Sequence, residues 1–258
     1  HRRPPITVTK EKMYWRFSLY DRATHFLIIV SFLGLAMTGL PLKFSYTPWA
    51  EFLARYLGGF ETAGFMHRFM ALVTFGYAAM HLGKIFLKAV RGEKGLFYGP
   101  DSMVPNLKDL ADITGHFKWF LGLGERPKFD RWTYWEKFDY WAVFWGINII
   151  GASGLLLWFP TFFSNLLPGW VFNIAQIIHS DEALLATGFI FSIHFFNSHL
   201  RPEKFPMDFV IFTGRISVEE LEHERPEEYA RMKESGKLEE RLGDPVLDGV
   251  SLSIEPGR

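Results

Sequence analysis

A chain of 258 residues with 28 Lys and Arg against 28 Asp and Glu has the gross charge balance of an ordinary water-soluble protein of one large or two small domains. The absence of cysteine excludes thiolate-ligated iron–sulfur clusters, covalently attached c-type haem and disulfides within the chain, so any metal must be held by His, carboxylate or Met. The basic residues flank apolar runs and do not form a patch interleaved with aromatics, which excludes a nucleic-acid partner.

The charge average conceals its distribution. Charge is almost absent from four stretches and crowded between them, and Trp and Tyr fall at the ends of the apolar runs, where an interfacial belt lies in a membrane protein. Residues 1–21 form a basic N-terminal segment. The apolar run that follows lacks a small-residue cleavage site and reads as a retained first span over residues 23–42, long enough to cross a hydrocarbon layer of about 30 Å. Span two covers 63–87, with Arg68 and Lys84 placed to snorkel. Residues 140–178 carry no charge and are too long for one span. Pro160, Asn165, Pro168 and Gly169 break them into span three, 138–159, and span four, 171–200.

Six Lys and Arg precede span one, ten lie from Lys84 to Lys137 and nine follow His199, whereas the loops after spans one and three hold two and none. This bias predicts an all-α, integral membrane four-helix bundle with cytoplasmic N- and C-termini. The four spans would form a domain over 22–205, with a cytoplasmic loop over 88–137 that includes a partly amphipathic stretch from Pro105 to Leu123. Residues 206–258 read as a polar cytoplasmic tail, a solvated helix or subunit contact, in which Ser217 and Glu220 resemble a capping box.

Six of nine histidines lie within or at the ends of the spans: His25, His67, His81, His179, His194 and His199. Ionisable side chains at membrane depth are costly and functional by default, and neutral imidazole is an axial ligand of iron porphyrin. His67 and His81 are fourteen residues apart, about 21 Å along a helix and about 40° around it. His179 and His194 are fifteen apart, about 22 Å and about 60°. Spans two and four run in the same direction, so His67 matches His179 in depth near the outer face and His81 matches His194 near the inner face. That pattern predicts two stacked bis-His haem b groups. Zinc would require three or four ligands at one depth, and the outer pair has only Asp181 and Glu182 nearby.

His25 and His199 remain at the inner end, with His199 about 140° around span four from His194. They admit three readings: a third haem between spans one and four, replacement of His81 by His25, or hydrogen bonding to quinone or haem propionate. Arg22 and Arg68 are candidates for propionate pairing. Gly64, Gly76, Gly83, Gly146, Gly151, Gly154 and Gly188 can admit a flat macrocycle or a close helix. His116, His223 and His1 read as surface residues.

Arg22-Ala-Thr-His25-Phe at the start of span one and Thr38-Gly39-Leu40-Pro41 at its end resemble the gamma subunits of membrane formate dehydrogenases and the b-type cytochromes of hydrogenases and thiosulfate reductases. The resemblance spans most of residues 15–210. It implies a di-haem subunit of a bacterial or archaeal inner membrane that exchanges electrons with menaquinone or ubiquinone and docks an iron–sulfur or c-type cytochrome subunit on the outer side. It also implies His25, His67, His179 and His194 as ligands. The sequence departs from that pattern by adding His81 and His199, and its paired spacings are similar instead to those of the respiratory bc-complex cytochromes.

The leading expectation is therefore a quinone-coupled subunit of an oxidoreductase complex, with His25, His199, Asn197 and Ser198 at the inner end and Asp181 and Glu182 at the outer end as polar groups for quinone. A stand-alone transmembrane reductase or superoxide-oxidising cytochrome is a second reading. A metal or proton transporter is a third, disfavoured by the scarcity of Asp and Glu in the span interiors.

Overall fold

The computed structural model describes residues 6–10, 12–202, 204–242 and 250–254. In chain order the elements are β1 (Ile6–Lys10), β2 (Met13–Trp15), α1 (Leu19–Lys43), α2 (Pro48–Tyr56), α3 (Phe60–Val90), α4 (Leu107–Phe120), α5 (Tyr134–Trp158), α6 (Pro160–Phe163) and α7 (Trp170–Phe189). Two π-helical turns, Ile190–His194 and Phe196–Leu200, continue α7. They are followed by α8 (Val210–Thr213), β3 (Arg215–Ser217), α9 (Val218–Glu224), α10 (Pro226–Glu234) and β4 (Val250–Ile254).

Among the described residues, four helices are long and apolar enough to cross a membrane: α1, α3, α5 and α7 with its π extension to Leu200. Each starts slightly before the uncharged run that predicts it, because polar and aromatic residues at a span end can still take helical backbone. Helix α3, at 31 residues, is longer than a hydrocarbon layer requires. Large apolar side chains such as Phe65, Phe69, Leu72 and Phe86 lie exposed on α3, as lipid-facing residues do.

The chain divides into two compact units. One comprises the described residues of 1–22, 94–137 and 209–258, and the other those of 23–93 and 138–208. In the second unit, small residues let the helices approach. A Cβ added at Gly34 would lie 2.6 Å from Met70 Cγ, and one at Gly151 would lie 2.9 Å from Phe75 Cε1, so α1 and α5 meet α3 at positions where a larger side chain would not fit. Lys43 at the end of α1 pairs with Asp181 and donates to Ser180 Oγ on α7.

The first unit adds two short antiparallel strand pairs to the otherwise mostly helical chain. Strand β1 pairs antiparallel with β4, and β2 with β3, in register Met13–Ser217, Tyr14–Ile216 and Trp15–Arg215. Tyr14, Val210, Ile216, Leu221 and Met232 form a small buried core. The tail thus packs on the N-terminal segment, since a short polar stretch gains stability only where neighbouring chain covers its few apolar residues. Ser217 Oγ accepts from Glu220 N–H at 3.1 Å and caps α9. Gly214, at φ +79°, reverses the chain between α8 and β3, and its carbonyl accepts from the N–H groups of Arg16 and Phe17.

The loop helix α4 has a full capping box: Asn106 accepts from Asp109 N–H, and Asp109 accepts from Asn106 N–H. His116 on α4 is a correction to the sequence reading. It is buried, its ring stacks on Phe120 at 5.1 Å, and its Nδ1 lies 3.1 Å from the Tyr134 hydroxyl. The adjacent aromatic residues supply the cover that placement in a polar loop does not reveal. His223 is exposed, and His1 lies outside the described residues.

Glu228 ties this unit together. Fully buried, it accepts hydrogen bonds from Tyr14 Oη at 3.2 Å, Arg16 Nη1 at 3.3 Å and Arg131 Nη1 at 2.9 Å, linking N-terminal segment, loop and tail. Burial, and then the Glu228 charge, push the Tyr14 hydroxyl above its ordinary pKa, so it remains a donor. Replacing Glu228 by Ala leaves Arg16 and Arg131 without that buried counter-charge. The expected cost is about 3–5 kcal/mol, read as faster limited proteolysis of residues 209–242 at constant detergent and temperature; unchanged protection would contradict this role.

Candidate functional site

Helices α1, α3, α5 and α7 bring two pairs of histidines into ring contact. His67 on α3 faces His179 on α7 with centroids 6.1 Å apart, and His25 on α1 faces His194 in the first π turn at 6.5 Å. A metal bound to imidazole lies about 2.0–2.1 Å from nitrogen, so two imidazoles on opposite sides of one metal have nitrogens about 4 Å apart and centroids about 6 Å apart. Both pairs have that spacing. Among the described residues, no group of three or more His, Asp or Glu converges as a metal cage would require.

The hydrogen bonds select the tautomers. Thr38 Oγ1 donates its one proton to the Gly34 carbonyl at 2.6 Å, so at 2.9 Å from His67 Nδ1 it accepts the imidazole N–H. His179 Nδ1 donates to the Ile150 carbonyl at 2.9 Å. His194 Nδ1 lies 2.9 Å from Asp139 Oδ2. In each case a proton on Nδ1 leaves Nε2 with its lone pair, the form that ligates metal, and a partner on the other nitrogen is what fixes a ligating imidazole in place.

Backbone without side chains adjoins the first pair. A Cβ added at Gly39 would lie 3.1 Å from His67 Cε1, and one at Gly154 would lie 3.0 Å from His179 Cε1, so glycine permits both rings to sit against neighbouring helices. The ligand geometry, tautomers and close backbone fit a bis-imidazole porphyrin. Of the other glycines expected to admit a macrocycle or helix, Gly151 accommodates Phe75, Gly146 meets Ile150 at 3.9 Å, and Gly64, Gly76, Gly83 and Gly188 have nothing within 4 Å of an added Cβ.

The depth match of His81 with His194 does not become a contact. His81 Nε2 lies 2.9 Å from the Tyr140 hydroxyl, and its ring packs on Tyr140. His199 differs in tautomer: its Nδ1 accepts the Asp208 backbone N–H at 3.2 Å, which places the ring proton on Nε2. Its ring lies against Phe195. Span four, on which His194 and His199 lie, ends in π-helical turns. There Phe195 N–H bonds to the Ile190 carbonyl and Arg201 N–H to the Phe196 carbonyl, so the regular 100° step used to place His194 and His199 does not hold.

Arg22 donates to the Phe212 carbonyl at 2.9 Å, and Arg68 is exposed on α3. Asp181 is engaged by Lys43, Glu182 is half-buried, and Asn197 and Ser198 are half-buried in the second π turn. Sequence reasoning missed Asp139, whose signal was a carboxylate at the very edge of the 140–178 uncharged run. It also missed the supporting roles of Thr38 and of the Ile150 carbonyl; a backbone acceptor has no sequence signal.

No family model matches the chain. Over 186 residues, 69% of this chain and 74% of the relative, the sequence is 21% identical to the cytochrome b556(Fdn) subunit of the nitrate-inducible formate dehydrogenase of Escherichia coli K12. The subunits from Escherichia coli O157:H7 and Shigella flexneri match to the same extent. With the four apolar helices, this distant similarity supports a multi-pass membrane protein related to b-type cytochromes.

Thr38 is buried, so Thr38→Val removes the acceptor of His67 Nδ1–H without opening the site to water. The expected loss is about 1–3 kcal/mol in detergent thermal unfolding, recovered by Thr38→Ser. Equal unfolding temperatures for Val and Ser variants would show that the bond contributes nothing.

Proposed function

We propose that this chain is the membrane-anchoring b-type cytochrome subunit of a quinone-reacting oxidoreductase complex. It binds one haem b between His67 and His179 and a second between His25 and His194. The observation that carries this reading is the recurrence of two facing imidazole pairs at ligand spacing, three of the four rings held through Nδ1. The distant similarity to a cytochrome b556 subunit supports the same reading.

Each bound haem supplies a one-electron couple. The residues supply ring orientation: Thr38 and Ile150 hold the first pair, and Asp139 holds His194. Apolar side chains of four spans exclude water, which strengthens these hydrogen bonds. His199, Asn197 and Ser198, at the same end of span four as His194, are the polar groups proposed to meet quinone; His199 presents a ring proton there. Interconversion of quinol and quinone moves two electrons and two protons, and the electrons pass singly to or from a partner iron–sulfur or c-type cytochrome subunit. Menaquinone and ubiquinone both fit this chemistry. The Lys and Arg bias supports cytoplasmic termini in a bacterial or archaeal inner membrane, with the His67–His179 pair toward the outer face.

The full chain in detergent should hold two non-covalent haem b groups with low-spin spectra by pyridine haemochrome and visible absorption. His67→Ala and His179→Ala should each remove one and the same haem, and His25→Ala and His194→Ala the other. His81→Ala and His199→Ala should retain both. Loss of a haem on replacing His81 or His199 would refute the ligand assignment, and a protein reconstituted with haem that stays colourless would refute the function.

A further inference from the structure

The two imidazole pairs are held unequally. His67 and His179 give their Nδ1 protons to neutral acceptors, a hydroxyl and a backbone carbonyl, whereas His194 meets a carboxylate, Asp139 Oδ2, at 2.9 Å. Both side chains of that last pair are largely withdrawn from solvent. Resting on the haem reading above, we infer that Asp139 is a positioning residue that makes the His194 imidazole more electron-rich and lowers the reduction potential of the haem between His25 and His194, setting the two haems apart.

The effect is electrostatic. A hydrogen bond to an ionised acceptor is shorter and roughly twice as strong as one between neutral groups. It draws the Nδ1 proton toward the carboxylate and leaves more electron density on Nε2, making the ring a stronger donor to its metal. Electron density and a nearby negative charge favour ferric over ferrous iron, because the oxidised centre carries one more positive charge. The low dielectric of a helical bundle screens that difference poorly. Thr38 and Ile150 exert no comparable charge on the other pair. The arrangement depends on the helix ends: Asp139 lies in the second turn of α5, and the π turn over Ile190–His194 carries the ring to it.

Asp139→Asn tests the charge with little change of shape, since the amide oxygen can still accept from Nδ1. In a spectroelectrochemical titration of the full chain in detergent, one haem should become easier to reduce. About a tenfold change in its reduction equilibrium constant, which is about 59 mV for one electron, is expected while the second haem stays unchanged. The wave that moves should be the one that persists in His67→Ala, and Asp139→Glu should restore it. Two bound haems with neither potential moved would overturn the inference and leave the haem reading standing; absence of haem from the wild-type chain would instead overturn that reading. If Asp139→Asn loses a haem, the ferric wild type decides by near-infrared magnetic circular dichroism. Two charge-transfer bands, one displaced to shorter wavelength, support the inference, and coincident bands refute it.

Discussion

An imidazole placed inside a membrane span must find partners for both nitrogens within the protein, because lipid offers neither donor nor acceptor. That constraint organises the helical unit. Thr38, the Ile150 carbonyl and Asp139 each take one nitrogen of a histidine on a different helix, so α1 is tied to α3 and α5 to α7 by the bonds that also select the tautomers. The rings so held lie in pairs, His67 with His179 at 6.1 Å and His194 with His25 at 6.5 Å between centroids. Close backbone approach at Gly39 and Gly154 follows from the same need, since a side chain there would press on the ring.

The polar unit obeys a different rule. Its apolar core is small, and much of its cohesion runs through the buried carboxylate of Glu228 and the arginines around it. A buried charge network of this kind holds one arrangement strictly, because losing any member strands another without a counter-charge. The three segments it joins are far apart in the chain, and each alone is too polar to fold.

Glu228 illustrates how little of such a network can be read beforehand. Nothing distinguishes it from the other acidic residues of α10, and its burial depends on Arg16 and Arg131, more than ninety residues away in the sequence. His116 fails to announce itself for the same reason: much of its cover comes from Phe129, Tyr134 and Trp135, beyond its own helix.

Sequence alone determined the four apolar helices, because an uncharged run of span length is a local property that composition reports directly. It also placed six histidines within or at the ends of those runs and paired His67 with His179, whose rings lie 6.1 Å apart, since rise per residue is constant along a helix. Only the tertiary structure decided that His25 meets His194 while His81 turns to Tyr140. That choice depends on rotation about the helix axes, and π turns, which no residue type announces, alter the rotation of span four. The carboxylate and carbonyl that hold the rings were likewise hidden, because a hydrogen bond between helices is a relation of position in space and not of spacing along the chain.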